Sequence, residues 1–131
     1  MESGDWVLEV RTGRTGVCVG FVGDEVDVEF RFLPDGSSSE VCRLGQRQLT
    51  VIHNPIGLTV WQRRGKGWIS HQVVGAAGEY LALERGATQV PVPKSDLVLL
   101  DRTRIPNVAD YMSQMMTAQK GEMKVRRKFR N

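Results

Sequence analysis

Cysteine, histidine and long apolar runs are all scarce in this chain of 131 residues. Cys18 and Cys42 are its two cysteines. Two are too few for a disulfide framework, and they lack the C-x-x-C spacing of a zinc or redox site. They are expected to be reduced thiols that pack as small hydrophobes. A Cys–His or Ser–His catalytic pair, or a metal site, would have to recruit His53 or His71. No spacing in the sequence joins either to a cysteine, so no catalytic residue and no metal ligand is assigned. No run of 18 apolar residues exists, and the opening MESGDWVLEV has neither a basic nor an apolar signal region. The expectation is a cytoplasmic protein with no membrane span. Neither a Walker A pattern nor a DExH-like box is present. Nucleotide hydrolysis by a helicase-type motor is thereby excluded, and no cofactor or small-molecule substrate is expected.

What is present is a soluble globular composition, 40% hydrophobic and 25% charged. The net charge of +3 is unevenly spread. Residues 1–52 carry five basic and nine acidic groups, a net of −4; residues 53–105 carry seven and four, a net of +3; residues 106–131 carry six and two, a net of +4. Such a molecule either turns its C-terminal side toward an anionic partner or simply solvates both faces.

The first half reads as short strands cut by turns. Trp6–Val10, Gly16–Val22, Glu25–Phe30, Ser39–Leu44 and Leu49–Ile52 have strand length and strand composition. In Glu25–Phe30, Val26, Val28 and Phe30 take one face while Glu25, Asp27 and Glu29 take the other, the pattern of a half-buried antiparallel strand. With Asp24 these carboxylates form a solvated face rather than an acid–base pair. Gly23-Asp24 marks a tight turn and Pro34–Ser39 a longer loop.

The second half repeats this layout. Gly57–Trp61 echoes the first strand, Gly67–Ser70 echoes Gly16–Val19, and Val73–Leu83 supplies a strand end, a glycine-rich turn and another strand. Val90–Leu100 then parallels Val41–Ile52. The offset is about 50 residues, a weak internal repeat. Five short strands per repeat and no helix suit a small bent barrel. The prediction is mainly β: two consecutive SH3-like, Tudor-like barrels over 1–52 and 53–105, joined by the short linker Ile52–Ile56.

After Leu100 the pattern changes. Val108, Tyr111, Met112, Met115 and Met116 follow a helical i, i+3, i+4, i+7 rhythm behind Pro106 and the capping residue Asn107, and Gly121 stands where the helix would stop. The apolar face of Tyr111, Met112, Met115 and Met116 is suited to docking on the chain's own barrels or on a partner. Lys124, Arg126, Arg127, Lys128 and Arg130 then form a basic tail.

Gly4-Asp5-Trp6-Val7, Gly13–Val19, Val26–Phe30, the Gly67-Trp68 strand and Val92–Leu100 together resemble, in order and spacing, the N-terminal tandem Tudor-like region of bacterial SWI/SNF-type ATPases, the group that includes the RNA polymerase recycling ATPase and relatives in phage-defence operons. The resemblance implies a non-catalytic accessory module that contacts RNA polymerase or an attached ATPase motor close to nucleic acid. The alternative is a KOW-like module that binds DNA or RNA directly. The candidate contact residues are Arg63, Arg64 and Lys66 on the expected hairpin of the second repeat, with Trp61 beside them for stacking, Arg85, and the tail cations. The same hairpin also reads as a solvated tip that happens to be charged. The aromatics Trp6, Phe21, Phe30 and Phe32, then Trp61, Trp68 and Tyr80, are read mostly as core rather than as a cation cage.

Overall fold

The computed structural model of the chain describes residues 1–104, and they are mainly β. Strands form where apolar residues alternate: β1 (Trp6–Glu9), β2 (Thr15–Val22), β3 (Glu25–Arg31), β4 (Ser39–Gly45) and β5 (Leu49–Val51), then β6 (Thr59–Arg64), β7 (Gly67–Ala77), β8 (Tyr80–Arg85), β9 (Thr88–Pro93) and β10 (Leu97–Val98). They make two five-stranded antiparallel sheets, β4-β3-β2-β1-β5 and β10-β6-β7-β8-β9. The strand order is the same in both, so the internal repeat is real. The helix expected over 108–120, with Tyr111, Met112, Met115 and Met116, lies outside the described residues, as does the tail from Lys124 to Arg130.

The repeat extends to fine detail. Each sheet's second strand carries a bulge, between Cys18 and Gly20 in β2 and between Val73 and Gly75 in β7. A bulge adds bend and twist, which lets one strand serve two ends of a curved sheet. The amide of Gly4 donates to the carbonyl of Cys18, and the amide of Gly57 donates to that of Val73. Both glycines have positive φ, 94° and 93°, a conformation that L side chains resist. A one-turn 3₁₀ segment, Gln46–Gln48 or Lys94–Asp96, leads into the last strand of each sheet.

β3 shows the expected alternation, with Val26, Val28 and Phe30 fully buried and Glu25, Asp27 and Glu29 facing out. Asp27 and Glu29 are neutralised there by Arg43 and Arg31. The first core unites Val7, Cys18, Val26, Val28, Phe30, Phe32 and Leu49. Gly16 is enclosed by it: a Cβ at that position would stand 2.8 Å from the Glu29 carbonyl oxygen and 2.8 Å from Val28.

Neighbouring residues of β1 feed two different cores. Val7 points into the first, whereas Trp6, on the opposite face, packs with Val60, Val73, Leu81, Leu83, Val92, Leu97 and Leu99 in the second, joined by Val17 and Ile52. Because successive strand side chains point to opposite faces, β1 is a shared wall. The Lys94 ammonium caps the Trp6 ring at 4.6 Å from its centroid.

A return strap completes the junction. The buried Thr15 hydroxyl donates to the Leu100 carbonyl (2.5 Å) and accepts from the Arg102 amide (3.1 Å). The Asp101 amide donates to the Arg31 carbonyl, Arg102 Nε to the Gly13 carbonyl, and the Arg104 guanidinium lies 4.1 Å from the Phe32 ring centroid. Residues 99–104 therefore leave the second sheet and fasten to the first. Asp101 is buried; its Oδ1 accepts from the Thr103 amide and hydroxyl, while Oδ2 meets no donor among the described residues. No helix among the described residues is long and apolar enough to cross a membrane.

Candidate functional site

The hairpin between β6 and β7 turns at Gly65, whose φ of 59° suits the tight reversal. Arg64 pairs with Gly67 and Arg63 with Trp68 across it. Arg63 and Arg64 thus end β6, with Lys66 in the turn, and all three are exposed. The β8–β9 hairpin, with Arg85 opposite Thr88, is its counterpart. Since β6 and β8 both run toward their tips, topology places the two tips at the same end of the second sheet. Arg85 is exposed too.

Trp61 requires a correction. Its ring is 9% exposed and packs with Leu100, Trp68 and Val98, so it props the base of the hairpin instead of offering a stacking face. The physical reason is phase: Trp61 lies opposite Ser70 two residues inside the exposed tip, where the C-terminal end of the second repeat folds over it. The structure brings Arg63, Arg64 and Lys66 together, but with no free aromatic from Trp61.

A second feature lies where the two sheets meet. A cleft of about 720 Å³ is bordered by Asp5, Trp6 and Arg31 on one side and by Glu79, Tyr80, Lys94 and Ser95 on the other. It joins two carboxylates and two cations around the edge of the Trp6–Lys94 stack, and Tyr80 is 53% exposed beside it. Sequence reasoning missed this cleft. No local pattern signals it, because its walls come from the two different repeats and are far apart in the chain.

The titratable groups with displaced pKa values are structural. The Arg14 guanidinium, 2.8 Å from Glu9, holds that buried carboxyl below the usual range, with the Thr12 hydroxyl as a further donor. Arg14 also covers the Phe30 ring at 4.0 Å. Arg43 likewise lowers Asp27. Burial pushes both free thiols, Cys18 and Cys42, upward, which disfavours the nucleophilic thiolate. Among the described residues no group of three or more His, Cys, Asp or Glu side chains is placed to hold a metal. No protein-family model matches the chain, and no curated protein matches it.

Proposed function

We propose that each five-stranded sheet closes as a small SH3-like, Tudor-like barrel, over 1–52 and 53–105, and that the pair is a non-catalytic interaction module of a SWI/SNF-type ATPase system. Its partner is a protein, RNA polymerase or the ATPase motor itself, engaged close to nucleic acid. The observation that carries this reading is the duplicated architecture: identical strand order, a bulge in each second strand and a 3₁₀ turn before each last strand. Two such sheets clamped by Trp6 and the 99–104 strap present one fixed composite surface, as a docking module requires. The mixed-charge cleft between the sheets suits a polar protein surface.

The exposed Arg63, Arg64 and Lys66 support a second reading, direct binding of DNA or RNA in the KOW-like manner. Affinity capture from host lysate, with and without nuclease, separates the two. Capture of polymerase or of a SWI/SNF-type ATPase that survives nuclease supports the first. Capture of these proteins that vanishes with nuclease supports the second.

A further inference from the structure

The duplicated sheets differ at one outer strand. In β9 the bond from the Lys94 N–H to the Glu79 carbonyl sets the phase, so Gln89, Pro91 and Pro93 face the open edge. Proline has no N–H to offer, and this edge is closed to another strand. In β4 the bond from the Phe32 N–H to the Ser38 carbonyl sets the phase: Glu40, Cys42 and Leu44 bond to β3, while Ser39, Val41, Arg43 and Gly45 face outward. Counted back from the 3₁₀ turn that follows each strand, Arg43 and Gly45 stand where the second repeat has Pro91 and Pro93. The first repeat therefore lacks the block that its duplicate carries. The Gly45 amide is taken by the Gln48 side chain. The outward backbone groups of Ser39, Val41 and Arg43 have no partner among the described residues, and the Val41 side chain beside them is 57% exposed.

We infer that β4 pairs with β4 of a second copy of the chain, antiparallel about a two-fold axis at Val41. The edge is complementary to itself in this register and in no neighbouring one. With the axis at Val41, Ser39 faces Arg43 of the second copy, Val41 faces Val41, and every outward N–H and C=O of the three residues meets its counterpart. Moving the axis to Glu40 sets that carboxylate against its own copy, a like-charge pair directly opposite. Moving it to Cys42 sets Ser39 against Gly45, whose amide is already engaged. The register at Val41 also covers the exposed valine with another β-branched side chain. Arg43, held by Asp27 on its own sheet, then meets only the neutral Ser39. Residues 1–52 carry a net −4 in each copy, so the pairing is opposed at long range and tightens as salt screens that repulsion. The inference does not rest on the proposed function. It makes the module divalent, with the two first sheets joined into one continuous sheet.

The test is sedimentation of the full-length chain without nucleic acid, from about 10 μM to about 1 mM, because a contact this small makes a weak dimer with a dissociation constant on the order of 100 μM. Three variants accompany wild type. Val41→Pro removes an outward N–H while sparing the ladder to β3, and is expected to stay monomeric throughout. Ser39→Glu sets a carboxylate opposite Arg43 of the second copy and is expected to tighten the dimer by about threefold or more, whereas Ser39→Lys sets a cation there and is expected to weaken it by a similar factor. Thermal melting confirms that each variant is folded; if Val41→Pro is not, the opposite shifts of the two Ser39 variants decide. A wild-type chain that is monomeric at about 1 mM overturns the inference. So does a dimer that survives in folded Val41→Pro, which assigns association to another surface, and so do Ser39 variants that shift together or not at all.

Discussion

Replacing Trp6 with alanine tests whether the two sheets fold as one unit. Trp6 belongs by sequence to β1 of the first sheet, yet it is 5% exposed among the buried and partly buried residues of the second core and under Lys94. Truncating a buried tryptophan costs about 3–5 kcal/mol through lost transfer energy and the cavity left behind, with about 0.5–1 kcal/mol of that range attributable to the cation over its ring. Small sheets of about 50 residues are marginal alone, so such a loss is a large share of the total. The assay is urea unfolding followed by the fluorescence of the remaining Trp61 and Trp68, with hydrogen exchange to locate the loss. The expected result is one cooperative transition shifted by about 3–5 kcal/mol, with protection falling in β7–β9 as much as in β1. A shift below about 1 kcal/mol, or a loss confined to β1–β5, refutes the shared-wall account.

Thr15→Val removes a fully buried hydroxyl that both donates to Leu100 and accepts from Arg102; stranding those two backbone groups should cost about 2–4 kcal/mol in unfolding experiments and speed tryptic cleavage at Arg102 and Arg104. Glu9 has a folded pKa below its ordinary 4.5, chiefly through Arg14, so its contribution is present above that value and lost as pH falls through the folded pKa. The stability gap between wild type and Glu9→Gln should therefore be widest near neutral pH and close below about pH 4.5, measured by thermal unfolding across that window. Changing Arg63, Arg64 and Lys66 to glutamine should leave the melting temperature unaltered because all three are exposed. If nucleic acid is a partner, it should weaken binding uniformly across sequences and flatten the salt slope by up to about 3 units.

Alternation made much of the fold legible. Glu25–Arg31 announced both its strand and its buried face, because a period of two has one physical meaning. The 11-residue β7 was visible only in pieces: Gly75-Ala76-Ala77 carries little strand signal, and the bulge at Val73–Gly75 breaks the period. The 3₁₀ turns at Gln46–Gln48 and Lys94–Asp96 are too short to show periodicity at all. Period also tells which face a residue takes but not what covers it, so Trp6 could be read as core without revealing whose core. The strap was hidden for a related reason: the Asp101 and Arg102 amides bond to the first sheet, and backbone groups are shared by every residue. At the candidate site, the exposed cations of the hairpin were readable from composition and turn chemistry. That Trp61 is covered and so not free to stack beside them was not, since the cover includes Leu100, 39 residues away.

The most direct test of the interaction-module account is a binding titration of the purified chain against RNA polymerase, against a SWI/SNF-type ATPase motor, and against labelled DNA and RNA, each at two salt concentrations. The account predicts saturable binding to one of the two proteins that changes little with salt, alongside nucleic-acid binding that is weaker and steeply salt-dependent. Tight nucleic-acid binding with no affinity for either protein would contradict it.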